Sequence, residues 1–409
     1  MTKENTNPDT SSSLPTRGIV SLQRFATEEL GDLNDHIERA EWPVELLFKH
    51  WSRLLGELAP EAAAFRRLDK TDARHLLGLL AFLASSAERH YQAKGFPKGA
   101  GVNALSYMDV MLSDLSGSAW HIPKDSFSTY WLWNRGPGLR ARFTGDSQEF
   151  IFADAVIATH DIQAAVASDL RPLCRNQISL SAPEAAASLN RAAQATGELC
   201  RIYQALRPPR FTPQFFTERM RTYLVSYPVR NVTYEAVNAA DLPAQVSVDY
   251  LLGFPADDYY MKFVHRRMQQ MVPEDQAVVN RDVATPPLSQ AVAEGLALSL
   301  RQFCSLDTAD VVRLLAYASP EFRQSALAAG QLYREQQRLT GIHFSLIKQF
   351  LINYMKQIPA AVKSTLPVAP DAGTGGTGHE ATRSIMEMRM KHPAAVRLVQ
   401  ATNVLTEEK

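Results

Sequence analysis

Apolar residues recur every three or four positions through Pro43–Leu58, Ala73–Tyr91 and Val102–Leu115. That spacing lays one continuous stripe along an α-helix, whereas the two-residue alternation of strands is scarce. From Ile122 to Gly145 the pattern breaks. An aromatic cluster of Phe127, Tyr130, Trp131 and Trp133 leads into Asn134-Arg-Gly-Pro-Gly-Leu-Arg140, whose Gly-Pro-Gly is a turn signal. Beyond it, alanine-rich helical patterns cover Gln148–Leu170, Pro183–Leu206, Pro213–Tyr227, Pro243–Gly253, Leu288–Leu315 and Ser319–Gln357. Leu366–Gly378 carries two prolines and four glycines, which forbid regular structure, and a last helical pattern covers about His379–Val404. The pattern predicts an all-α chain in three parts: a disordered polar tail over residues 1–18, a smaller helical domain over 19–135, and a larger one over 136–409 with a Gly-rich flap at 366–378.

Composition narrows the function. A chain of 409 residues, 45% hydrophobic, with 43 basic and 43 acidic side chains, is globular rather than disordered, collagenous or coiled-coil as a whole. It carries no long basic run to mark a nucleic-acid surface or a polybasic membrane anchor, so the expected partner is a small molecule. Cys174, Cys200 and Cys304 are far apart and form no CxxC pair, which argues against a disulfide framework or a zinc site and for a reducing, cytoplasmic setting. The longest apolar run, Leu76–Ala84, is short of the roughly 20 residues that span a bilayer, and the N-terminus lacks a hydrophobic signal core. No membrane association is expected. Nothing in the pattern speaks to oligomeric state.

Three segments hold candidate chemistry. Gly373-Thr-Gly-Gly-Thr-Gly378 satisfies GxGxxG, but a dinucleotide site needs a strand delivering those glycines to a helix, and a Pro-rich loop precedes them here. A flap over a ligand and a plain linker both remain open. His343 shares an apolar helical face with Leu339, Leu346, Ile347 and Phe350. Such a residue is either a core histidine with one hydrogen bond or a neutral imidazole ligand to a metal or haem iron. In Thr212-Pro-Gln-Phe-Phe-Thr-Glu-Arg-Met-Arg-Thr-Tyr-Leu224, Arg221 must find an anion, either a structural carboxylate or one on a substrate.

Together these segments resemble the haem-dependent aromatic oxygenase superfamily of indoleamine 2,3-dioxygenase, and within it the branch containing monodechloroaminopyrrolnitrin synthase. In that superfamily a proximal His precedes a Gly-Thr-Gly-Gly-Thr loop, as His343 precedes Gly373–Thr377, and a Pro-x-x-Phe-x-x-x-x-Arg-x-Tyr-Leu helix matches Pro213, Phe216, Arg221, Tyr223 and Leu224. The synthase branch adds Trp133-Asn134, Phe143-Thr144-Gly145 and Ala239-Ala-Asp241-Leu-Pro243, so the resemblance covers about residues 75–400.

The resemblance implies a helical fold whose smaller N-terminal domain caps a haem domain, and an oxygenase that acts with O2 on tryptophan or a related aromatic amino acid. His343 would hold the iron of haem b. Phe150 and Phe216 would face the aromatic ring, with Phe152 as the alternative to Phe150. Arg221 would clamp the substrate carboxylate, with Thr374 and Gly375 completing the pocket, Arg221 and Thr374 being the catalytic pair. Thr340 stands where the superfamily has the arginine that reaches a haem propionate, and Arg338 is the nearest arginine. Asp154 falls where the dioxygenases have a serine, so it faces either the oxygen site or solvent. The implied outcome is oxidation and rearrangement of the indole ring, as in pyrrolnitrin-type secondary metabolism. The alternatives are indole 2,3-cleavage to N-formylkynurenine, or a non-catalytic helical binding protein.

Overall fold

The computed structural model describes residues 17–135, 140–255, 258–360, 366 and 379–407. The disorder expected of residues 1–18, the Gly136-Pro-Gly138 turn and the Gly-rich flap therefore lie almost entirely outside the described residues. What is described is all-α. Its only strands form a short antiparallel ribbon, Tyr227–Val229 with Val232–Tyr234.

Two cores organise the helices. The first is built on Lys70–Ala93, capped where the Asp69 carboxylate accepts the Thr71 and Asp72 amides at 2.8 and 2.9 Å. Every residue from Leu76 to His90 in this helix is buried, so the longest apolar run of the sequence is the axis of a core. This core also takes in Phe143, Ala153 and the segment Tyr223–Leu242, which lie beyond residue 135. The second core packs Gln148–Cys174, Pro183–Gln204, Pro320–Ile347 and Pro393–Glu407 through small residues such as Ala185, Ala192, Ala326 and Ala329. A side chain at Gly330 would come within 2.8 Å of the Leu398 carbonyl, so the absence of one lets the C-terminal helix lie against Pro320–Ile347. Gln148–Cys174 is long and apolar enough to cross a membrane by length and composition. In the fold, its Val166, Ala167, Leu170 and Leu173 are spent on the second core.

Several expected helices divide at points with a physical cause. Val102–Leu115 is two helices, Ala100–Ala104 and Met108–Ala119, because Tyr107 sits at φ 62° between them. Leu288–Leu315 is three, the later two started by a Ser299–Gln302 capping box and by Asp307. His379–Val404 breaks at Pro393, which opens its own helix. Asp258–Met268 and Pro273–Val283 are helices that the sequence pattern did not announce.

Buried polar groups fix the loops around the first core. Asn34 donates to the Ser86 hydroxyl and the Phe143 carbonyl, both at 2.9 Å, while its own oxygen faces His90 Nε2 at 2.9 Å. Glu149 accepts the Phe143 and Thr144 amides, the Thr144 hydroxyl and the Tyr130 phenol at 2.8–2.9 Å. Asn134 closes a two-way clamp with Ala141, donating to its carbonyl at 2.7 Å and accepting from its amide at 2.9 Å. The Trp-Asn and Phe-Thr-Gly motifs are therefore devices that hold one loop.

Burial pushes His90 down to about 3, with the charges of Arg89 and Lys94 adding to the effect. In the unfolded chain it titrates near about 6.5. Its contribution to stability is thus full above that value and is lost as pH falls through the window down to about 3, where only the unfolded state takes the proton. Urea unfolding of His90→Gln should lose about 1 kcal/mol less between pH 6 and 5 than the parent chain loses. An unchanged pH slope would contradict the burial of a neutral imidazole.

Candidate functional site

His343 lies near the end of Pro320–Ile347, a helix started by Pro320 and capped where the Ser319 hydroxyl accepts the Phe322 amide at 3.2 Å. Helical periodicity then lines up Gln336, Leu339, Thr340, His343, Leu346 and Ile347 along one side. They form a wall of two adjoining cavities that meet at the histidine.

The first cavity is almost wholly apolar, walled by Trp131, Phe152, Leu206, Phe211, Phe216 and Phe350. Helix Gln148–Cys174 supplies Phe152, Ala155, Val156 and Thr159 from consecutive turns of one face. Opposite stand two wide helical turns, Phe215–Met220 and Lys348–Asn353, which carry Phe216 and Phe350. Such turns leave backbone carbonyls without an ordinary helical partner. Thr217 uses one of them, donating its hydroxyl to the Phe350 carbonyl at 2.7 Å and tying the two turns together. The second cavity carries Gln245, Gln336, Thr340 and Arg389 beside Tyr260 and Phe263. One side of the histidine is thus oily and the other polar.

Burial pushes His343 down to about 4, helped by the positive charge of Arg389. The imidazole is therefore neutral at ordinary pH, with a lone pair to offer. Tyr203 meets it edge-on with ring centres 5.6 Å apart, and the Tyr203 hydroxyl lies 3.2 Å from that of Thr159. Among the described residues neither ring nitrogen of His343 has a hydrogen-bond partner, which distinguishes it from a core histidine satisfied by the fold. No three His, Cys, Asp or Glu side chains converge among the described residues. A metal bound at His343 would have to bring most of its own ligands, as the iron of a porphyrin does.

The other expected site residues separate in space. Phe216 lines the apolar cavity. Phe150 does not: its ring lies under the Arg140 and Arg142 guanidiniums at 4.5 and 5.7 Å, and Phe152, two residues on, takes the wall position. Arg221 is buried in the short turn Arg221–Tyr223 directly after the Phe216 turn, and is not among the described residues of either wall. Burial brings its guanidinium down to about 10, still charged at neutral pH. Arg338 is on the exposed side of its helix, paired with Glu335 at 3.2 Å. Asp154 faces solvent, bonded to Arg140 at 2.6 Å. Thr374 and Gly375 lie outside the described residues.

Several polar wall residues escaped sequence reasoning, Thr159, Gln336 and Asn238 among them. Thr159 and Gln336 each stand seven residues from a candidate aromatic or histidine, Phe152 and His343, so helical spacing alone would have found them. Asn238 reaches both cavities from a loop that Asp241 shapes, accepting the Asn238 amide at 2.8 Å while bonded to Arg267 Nε at 2.6 Å. The Ala-x-acid-x-Pro motif therefore places Asn238 and Leu242 at the junction of the two cavities.

Compared with known proteins, the chain matches the family of monodechloroaminopyrrolnitrin synthase PrnB over residues 75–307, more than half of its length. The matched stretch includes Phe152, Phe216, Arg221 and Asn238, and ends before His343. No curated protein matches the chain.

If the apolar cavity receives a flat aromatic ring, Phe152→Ala should weaken the binding of free indole by about 1 to 2 kcal/mol in a calorimetric titration, the worth of an aromatic contact with its buried area. Phe150→Ala should leave it unchanged. Equal effects of the two substitutions would contradict the assignment of this wall.

Proposed function

The chain belongs to the monodechloroaminopyrrolnitrin synthase family, and from that premise we propose that it is a haem-dependent oxygenase that uses O2 to oxidise and rearrange the indole ring of tryptophan or a substituted tryptophan. The observation that carries the reading is the neutral His343 imidazole, without a hydrogen-bond partner among the described residues, set where an apolar and a polar cavity meet. Haem b fits the residues present. It is a flat apolar body with two carboxylates on one edge, and the combined space offers aromatic and aliphatic walls on one side and Gln245, Gln336, Thr340 and Arg389 on the other.

In this reading His343 would hold the haem iron, and the bound haem would supply the chemistry that activates O2. The protein's own share is placement and exclusion of water. Phe152, Phe216 and Phe350 pack the indole ring in a cavity with few polar groups, which keeps it dry and fixes which ring carbon is presented. Arg221, charged and one short turn beyond Phe216, is the cation we assign to the substrate carboxylate, approaching it from behind the described cavity walls. Asn238 adds a polar group at the junction. The three cysteines are free thiols, which supports a reducing cytoplasm as the setting.

His343→Ala should abolish stoichiometric haem uptake while leaving the far-ultraviolet circular dichroism of a helical protein intact. Full haem content in the folded variant would overturn the ligand assignment. Arg221→Leu should weaken the haem spectral shift induced by tryptophan by about 2 to 4 kcal/mol, the scale of a lost desolvated charge pair. An unchanged titration would make Arg221 a structural residue.

A further inference from the structure

Arg389 is the one arginine on the described walls of the polar cavity, and it comes from helix His379–Lys391. The Asp249 carboxylate receives its Nε at 2.9 Å and its Nη2 at 2.6 Å. Asp249 is itself immobilised, accepting the Tyr260 phenol at 2.5 Å and the Gln245 amide at 3.2 Å. Asp249 is almost fully buried, whereas 15% of the Arg389 side chain remains accessible, and that part lies on the cavity wall. The carboxylate behind it thus takes two of the five N–H groups of the fork, with the Tyr260 phenol beside them, while the accessible part of the side chain belongs to the cavity lining.

A pair whose only task was to join two helices would have no reason to sit on a cavity wall, where a guanidinium loses the solvation of bulk water. The surroundings give one. The charged group and most polar wall groups gather on this side of His343, with Gln245, Gln336 and Thr340 beside Arg389, while the other cavity is mainly aromatic and aliphatic. Arg338, the arginine nearest His343 in sequence, is turned away and paired with Glu335. On the haem reading of His343, we propose that Arg389, held in place by Asp249 and Tyr260, binds a carboxylate in the polar cavity, and that this carboxylate belongs to the porphyrin. The fork geometry suits a planar carboxylate, and the site supplies the charge that the helix carrying the iron ligand does not.

The test measures haem loss from the full-length holoprotein to excess apomyoglobin, for the parent chain, Arg389→Leu and Arg389→Lys. A parallel set carries haem dimethyl ester, whose carboxylates are blocked. Arg389→Leu should release haem b roughly 10- to 100-fold faster than the parent, the usual effect of removing a group that supports a metal site from outside its ligand set. Arg389→Lys should fall between, and the ester should leave all three proteins at one rate. Equal haem b loss from parent and Arg389→Leu overturns the proposal, as does equal acceleration for haem and ester, which would make Arg389 a helix tie. Should Arg389→Leu not fold, a parent chain that retains the ester as firmly as haem b overturns it as well. The substrate is the other source of a carboxylate. If Arg389→Leu keeps haem normally but no longer distinguishes tryptophan from tryptamine in the spectral shift they induce, the carboxylate is the substrate's and the porphyrin assignment falls. A parent chain that takes up no haem removes the reading of His343 first, an outcome distinct from all of these.

Discussion

A neutral, half-buried imidazole set between an oily cavity and a polar one is the constraint on which the rest of the structure turns. Desolvation and the nearby Arg389 charge both oppose a positive charge on His343, so the ring keeps its lone pair at neutral pH. Its ring nitrogens, without a hydrogen-bond partner among the described residues, are open to a ligand from the cavities. The helices that flank the cavities satisfy both demands through periodicity. One face of Gln148–Cys174 and one face of Pro320–Ile347 are given to the cavities, and another face of each is committed to the cores. The cavity walls are thus set by helices anchored elsewhere, which is how a space can be kept open in a protein that otherwise packs densely.

Around this centre, buried charges act as fasteners for irregular backbone. Glu149 gathers four donors from the loop at Phe143 and from Tyr130, Asp241 shapes the loop that delivers Asn238, and Thr217 joins the two wide turns that hold Phe216 and Phe350. Each fastener lies at the end of a segment that reaches the cavities. The motifs shared with the synthase branch are mostly of this kind. They shape the pocket from behind, and the side chains that face its contents are aromatic residues with little distinctive local sequence.

The helical architecture was legible because it follows from apolar spacing, which also put His343 on an apolar helical face, whereas the ligand role of His343 and the pocket role of Phe216 came from the family resemblance. Less visible was whatever depends on a single backbone dihedral or on distant contacts. Tyr107 at φ 62° divides one expected helix, and nothing in its local pattern announces it. Phe150 and Phe152 are equivalent by spacing to a reader of the sequence, and only the packing of Arg140 over Phe150 separates them. Arg389 shares no segment with any site residue, so its arrival beside Gln336 and Thr340 is a product of tertiary folding. The helices Asp258–Met268 and Pro273–Val283 were missed because their charged and polar residues blur the apolar stripe.

The central claim is that His343 is the axial ligand of a haem iron, and resonance Raman spectroscopy of the ferrous protein addresses it most directly. The account predicts an iron–imidazole stretching band in the parent chain, its disappearance in His343→Gly, and its return when free imidazole is added to fill the space the side chain leaves. A band that persists in His343→Gly without added imidazole would place the iron on another residue and contradict the account.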